Sequence, residues 1–332
     1  MKELIKRLSE ACGPSGHENN VRDLIRDAVA SYADEINEDV LGNVIVTKKG
    51  KGTDRKHLML VAHIDEPGLL VTHIEGNGYL RVAQVGNLEA AYLVGQRVQF
   101  PNGTVGVVGT HHVNDAGDVT FMGLFLDIAA TSEAEALEKV RVGDMCTLLQ
   151  PVVELDNDKL VGKALDNRVG CAVAVEALKR LKDQEHDVTV VFTTQHGVGS
   201  RGVKPAAFAL EPDFGLVLDG VRAGDYPGAK RIEVGLGKGV AVKVLDRNVI
   251  VPPPIKNFLV DQAEKAGIAY QLEVYPDGTS DAGAMLITRD GIPTGGLSLP
   301  LRYTVTGSEM VDLRDVEAAV QLTVLALQQY NL

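Results

Sequence analysis

The sequence predicts an α/β protein: a central mixed sheet flanked by helices, with an all-β module inserted into it. Two changes of texture carry this reading. Helical and strand periods alternate at both ends of the chain, while the middle is a series of short Val-rich runs cut by glycines. Leu4, Ile5, Leu8 and Cys12, then Val21, Leu24, Ile25 and Val29, recur at helical spacing on either side of a break at Gly13-Pro14-Ser15-Gly16. Residues 43–48 and 57–63 read as strands, the second apolar enough to be covered on both faces. Between about residues 71 and 153, Gly76, Gly78, Gly86, Gly95, Gly103, Gly106 and Gly109 mark tight turns, and one helical stretch at 132–139 interrupts them. The alternation then returns, with strands at 159–164, 188–194 and 214–218 and helices at 168–181 and 255–266. Asp312 is placed to cap a last helix that faces inward through Val316, Val320 and Leu327. The expected division is an α/β domain of residues 1–69 and 158–332 with a β domain of residues 70–157 inserted.

Composition excludes several classes of function. At 332 residues and 45% hydrophobic content the chain can bury a large core. Its apolar runs are too short to cross a bilayer, and Met1 leads into a charged amphipathic segment instead of a signal peptide, so a cytoplasmic protein with no membrane role is expected. A net charge of −12 argues against a nucleic-acid partner. Cys12, Cys146 and Cys171 are scattered, which fits buried thiols better than a disulfide framework or a thiolate zinc site.

Polar residues gather where predicted strands end, the usual place for function in an open α/β sheet. His63 and Asp65 follow the strand at 57–63, Asp166 the one at 159–164, Gln195 and His196 the one at 188–194, and Asp219 the one at 214–218. One imidazole and two carboxylates make an N/O ligand set for zinc, with cobalt and manganese as alternatives. Asp65, two residues beyond His63, is placed to accept the other ring N–H of that histidine.

These residues sit in recognisable runs. Leu8 to Glu18, Ala62-His63-Ile64-Asp65-Glu66-Pro67-Gly68, Ala164-Leu165-Asp166-Asn167-Arg168, Ala223-Gly224-Asp225-Tyr226-Pro227-Gly228, Gly278-Thr279-Ser280-Asp281-Ala282-Gly283 and Glu309 to Asp315 occur in order. Together they make the chain resemble the tetrahedral aminopeptidases, also called glutamyl or deblocking aminopeptidases, over nearly its whole length. The resemblance implies metal-dependent removal of N-terminal residues from short peptides, a PDZ-like inserted domain, and self-association, commonly into a dodecameric tetrahedron.

It also implies two metals bridged by the residue at Asp166, one of them held further by the residues at His63 and Asp219. The glutamate pair of the family, base then ligand, falls on His196 and Gly197, and the histidine of the second metal falls on Val305. Gly197 has no side chain and Val305 no lone pair, so one divalent ion is expected and the second is expected to be absent. Loss of general-base assistance alone costs about 10²- to 10⁴-fold in rate. Two readings follow: a weakened or inactive aminopeptidase, or a non-catalytic peptide-binding or structural subunit that keeps one ion. His196 has three open roles: a substitute base, a fourth ligand, or a strand-end histidine bonded to its neighbours. Asp281 is expected, by resemblance, to shape the substrate pocket. His111-His112 reads as an exposed turn, and Gly235-Leu236-Gly237-Lys238-Gly239 as a structural turn without P-loop spacing.

Overall fold

The computed structural model describes residues 1–111 and 119–331. Helices α1 (Lys2–Glu10) and α2 (Asn19–Val29) bury Ile5, Leu8, Val21, Ile25 and Val29, the stripe that helical spacing sets on one face. Strands β1 (Glu35–Glu38), β2 (Val44–Lys48) and β3 (His57–His63) follow. The chain next builds β4 (Gly68–Ile74), β5 (Leu80–Val85), helix α3 (Ala90–Leu93), β6 (Arg97–Gln99), β7 (Val105–Thr110), β8 (Leu124–Asp127), helix α4 (Glu133–Leu137) and β9 (Met145–Leu148). These six strands close into a barrel in the order β4-β5-β8-β7-β6-β9 around Leu69, Val71, Leu80, Val98, Val108 and Leu126. His111 is exposed, and His112 lies outside the described residues.

Strands β10 (Val153–Leu155) and β11 (Lys159–Gly162) lead into helix α5 (Leu165–Arg180). Then come β12 (Asp187–Thr193), α6 (Val203–Leu210), β13 (Phe214–Arg222), β14 (Val240–Asp246), α7 (Pro253–Ala266), β15 (Tyr270–Tyr275), α8 (Asp281–Leu286), β16 (Thr294–Leu301), β17 (Glu309–Asp312) and α9 (Leu313–Gln328). The central sheet runs β1-β2-β12-β3-β13-β16-β14-β15 and is mixed: β12, β3, β13 and β16 are mutually parallel, while β14 is antiparallel to β16. The central strand β3 is buried from Leu58 to His63 because helices cover both faces of the sheet. As expected, Asp312 caps α9, its carboxylate accepting the N–H of Arg314.

One expected strand is placed differently. The strand at 159–164 ends at Gly162 and belongs to a separate antiparallel sheet, β10-β11-β17. Burial alternates along β11, as it does in a strand wet on one face, and this separates it from the continuously buried parallel strands. The loop at 235–239 is a turn anchored to α9: the N–H groups of Gly237 and Gly239 both donate to the Asp315 carboxylate at 2.7 Å.

Candidate metal site and cavity

Parallel pairing brings the strand ends together. His63 lies opposite Thr193 across β3 and β12, and Ala62 lies opposite Leu218 across β3 and β13. His63, His196 and Asp219 therefore emerge side by side at the carboxyl edge, with ligand atoms all within 4.8 Å of one another. Asp166 arrives from outside the central sheet, at the non-helical start of α5. Glu309, which opens β17, holds it there by accepting the Asp166 N–H at 2.9 Å.

His63 Nε2 stands 3.6 Å from Asp166 Oδ1 and 3.6 Å from Asp219 Oδ1. These distances are too long for good hydrogen bonds. Donors about 2.0–2.2 Å from a tetrahedral ion stand roughly 3.3–3.6 Å apart, so this spacing fits a shared cation. Asp166 Oδ1 and Asp219 Oδ2 are buried without a hydrogen-bond partner. Gly220 leaves space for the Asp166 carboxylate, since a Cβ there would come within 2.5 to 2.9 Å of its atoms. His63, Asp166 and Asp219 could thus hold a divalent ion, with His196 close enough to His63 and Asp219 to join them.

The other ring nitrogen of His63 has as its nearest acceptor the main-chain carbonyl of Asp65, at 3.2 Å, with Asp65 Oδ1 at 3.5 Å. The Asp65 carboxylate has other partners: it accepts from the N–H of His196 and of Gly197, both at 2.9 Å, and from Ser15 Oγ at 2.6 Å. Asp65 thus faces the Nδ1 side of His63 with both its carbonyl and its carboxylate, and the carboxylate also pins the loop bearing His196. Burial lowers the His63 pKa, but Asp166, Asp219 and Asp65 outweigh it and hold the imidazole well above its usual value.

The His196 ring stacks on that of His63, with centroids 4.1 Å apart and planes within 10°. Its Nδ1 is 2.7 Å from Asp281 Oδ1, and Asp281 Oδ2 accepts from Thr193 Oγ1 at 2.8 Å. Against the opposing effects of burial and the His63 charge, Asp281 and Asp219 raise the His196 pKa to about 9. Asp281, expected to shape the substrate pocket, stands behind His196, one side chain removed from the lining of the cavity.

The site opens on a cavity of about 660 Å³ that also reaches Gly197 and Val305. Val305 has φ 62°, a conformation unfavourable for a β-branched residue. Its N–H donates to Glu309 at 3.1 Å. Burial, then the charge of Asp166, raises the Glu309 pKa to about 8. Glu309 was missed by the sequence reading, as were Lys243 and Glu273 on the cavity's far wall. For Lys243 a signal existed: a charged residue within the apolar run Val240-Ala-Val-Lys-Val-Leu.

The family model for the M42 glutamyl aminopeptidases matches residues 42–322. The chain belongs to this family. Lysyl aminopeptidase of Pyrococcus furiosus is 33% identical over 98% of this chain and 96% of its own length. Among solved structures, aminopeptidase APDkam598 from Desulfurococcus kamchatkensis superposes with a TM-score of 0.95 at 36% identity, covering 99% of this chain and 94% of that one. The TET1 peptidase of Pyrococcus horikoshii, described as assembling into a tetrahedron or a large octahedral shell, gives a TM-score of 0.89 at 30% identity with 99% coverage of both chains.

Proposed function

We propose that this chain is a one-metal, catalytically weakened aminopeptidase that takes the N-termini of short peptides. The observation that carries the reading is the half-built metal site: His63 lies 3.6 Å from both aspartates, each aspartate keeps a bare oxygen, and Gly197 and Val305 supply no donors for a second ion. A bound divalent cation, zinc by preference, would polarise the scissile carbonyl and acidify a water. His63, Asp166 and Asp219 would hold it. Glu309 fixes the main chain of Asp166 and Val305, and Asp281 fixes the ring of His196, the residue on which, by resemblance, the family's glutamate base falls.

A second reading, a non-catalytic peptide-binding or structural subunit with one ion, is favoured by the lack of a carboxylate at positions 196 and 197. Metal analysis together with assays on aminoacyl chromogenic substrates, with added zinc, cobalt or manganese, separates the two. One ion per chain with slow, metal-dependent turnover supports the enzyme, and one ion without turnover supports the subunit. Two ions per chain would overturn both.

The separate barrel core supports the division into residues 1–69 with 158–332 and residues 70–157, with the barrel as the PDZ-like module. None of the described helices is long and apolar enough to cross a membrane, in keeping with a cytoplasmic setting. The likeness to shell-forming relatives supports self-association, with the dodecameric tetrahedron as the expected form.

A further inference from the structure

The sheet face that bears Asp219 continues into a second group of buried charge. Asp219 lies opposite Ser298 across β13 and β16, Ser298 opposite Ala241 across β16 and β14, and Lys243 opposite Glu273 across β14 and β15. Two-residue periodicity puts Lys243 on the same face as Ala241, and so with Asp219, Ser298 and Glu273. Three strand spacings of about 4.8 Å separate Asp219 from Glu273, roughly 14 Å across the sheet. Gly296 makes room for the Lys243 stem, because a Cβ there would come within 3.0 to 3.2 Å of it.

The charges at this end do not balance. Lys243 Nζ donates to Glu273 Oε1 and lies 3.4 Å from Asp246 Oδ2, so one ammonium serves two carboxylates. All three residues are buried. Asp246 is complete: Oδ2 accepts from Ser280 Oγ at 2.6 Å, and Oδ1 from the N–H groups of Asn248 and Val249 at 2.8 and 3.0 Å. Glu273 is not. Its Oε2 and the neighbouring Ser298 Oγ are both buried without a partner in good hydrogen-bond geometry, and Ser298 is close enough only to favour the carboxylate weakly. Lys243 and Glu273 line the same cavity as His63 and Asp219. A buried carboxylate oxygen without a donor is costly, and an arriving cationic donor removes that cost. An acidic group would meet surplus negative charge, and an apolar one would leave the oxygen bare.

We propose that Glu273, held in place by Lys243, is a cation subsite that takes a primary ammonium group of the peptide. The inference rests on the reading of this cavity as a peptide N-terminus site. Two groups share the chemistry, the α-ammonium and the side chain of an N-terminal lysine, and binding measurements tell them apart. Calorimetry on the full chain uses L-lysinamide, with both groups; L-norleucinamide, with only the α-ammonium; Nα-acetyl-L-lysinamide, with only the side-chain ammonium; and Nα-acetyl-L-norleucinamide, with neither.

Lysinamide is expected to bind tightest, and Glu273→Gln to weaken it by about tenfold or more. If Nα-acetyl-lysinamide loses affinity in the variant and norleucinamide does not, the side chain is the group bound; the reverse assigns the α-ammonium. Unchanged binding of all four probes in folded Glu273→Gln, as verified by thermal melting, overturns the proposal. Should the variant fail to fold, the wild-type protein decides: a preference for either ammonium-bearing probe over Nα-acetyl-norleucinamide supports the subsite, and equal or absent binding overturns it. Because these readouts need no turnover, loss of the enzymatic reading leaves the subsite testable, and the metal count tests that reading separately.

Discussion

Two clusters of buried charge border the same cavity, and they are completed in different ways. In the first, Glu66 Oε1 accepts from Gly13 N at 3.1 Å, Lys163 Nζ at 2.7 Å and Arg168 at 3.2 Å, and Oε2 accepts from Lys163 at 2.7 Å. Arg168 also donates to the carbonyls of Leu8, Ala11 and Gly13, tying the end of α1 to α5, and only its Nε lacks a partner. In the second, His63 stands 3.6 Å from both Asp166 and Asp219, with a bare oxygen on each aspartate. A buried ionic cluster that satisfies itself stabilises a fold geometry; one that leaves carboxylate oxygens bare needs a cation from outside. The difference separates architecture from function better than burial does, since Glu66, Lys163 and Arg168 are buried and so are His63 and Asp219.

The strongest way to sharpen this contrast is to build in the donors that the one-metal proposal counts as missing. The triple change His196→Glu, Gly197→Glu and Val305→His is expected to raise aminopeptidase turnover by about 10²- to 10⁴-fold and to bring a second ion, read by metal analysis. Position 305 should accept the change, because histidine tolerates its left-handed backbone better than valine does. At 197 a Cβ would lie 3.0 Å from Ser15 Oγ, a side-chain end that can turn away. If neither activity nor a second ion appears, the assignment of the missing ligands is wrong.

Next in size is the self-satisfied cluster. Glu66→Ala strands Lys163 and Arg168 as buried charges and should cost about 3–5 kcal/mol in denaturant unfolding, with the metal content of the folded protein unchanged. A large loss of metal instead would mean that the two clusters are not separate.

Asp219→Asn is the converse. It should weaken zinc binding by more than about 100-fold, exceeding what loss of an outer partner costs, while the melting temperature of the ion-free protein moves little. An unaltered zinc affinity would remove Asp219 from the ligand set.

The smallest expected effect is a proton dependence. The folded-state pKa of His63 lies well above 6.5, because its three aspartates outweigh burial. In the ion-free protein this contribution to stability is therefore complete below about pH 6.5 and is lost as pH rises through the folded pKa. An ion must displace the same proton, so below that pKa zinc affinity should rise about tenfold per pH unit. Chelator-buffered titrations at two pH values measure the slope, and a flat profile would argue against His63 as a ligand.

The sequence by itself determined the α/β fold class and the family. These follow from local facts: the periodicity of apolar residues and the order of short motifs; the proposed loss of the second metal's donors rests likewise on the side chains of Gly197 and Val305, neither of which offers a lone pair. Tertiary structure decided how those residues are completed. It moved Asp166 off the central sheet, put the carbonyl of Asp65 beside its carboxylate at the Nδ1 of His63, set Asp281 behind His196, and brought Glu309 against Asp166. It also joined Lys243 to Glu273, thirty positions apart, and left one oxygen without a donor. Motifs record which chemical groups are present. Which group faces which depends on strand register and on the supply of donors in a buried space, and these exist only once distant segments have packed.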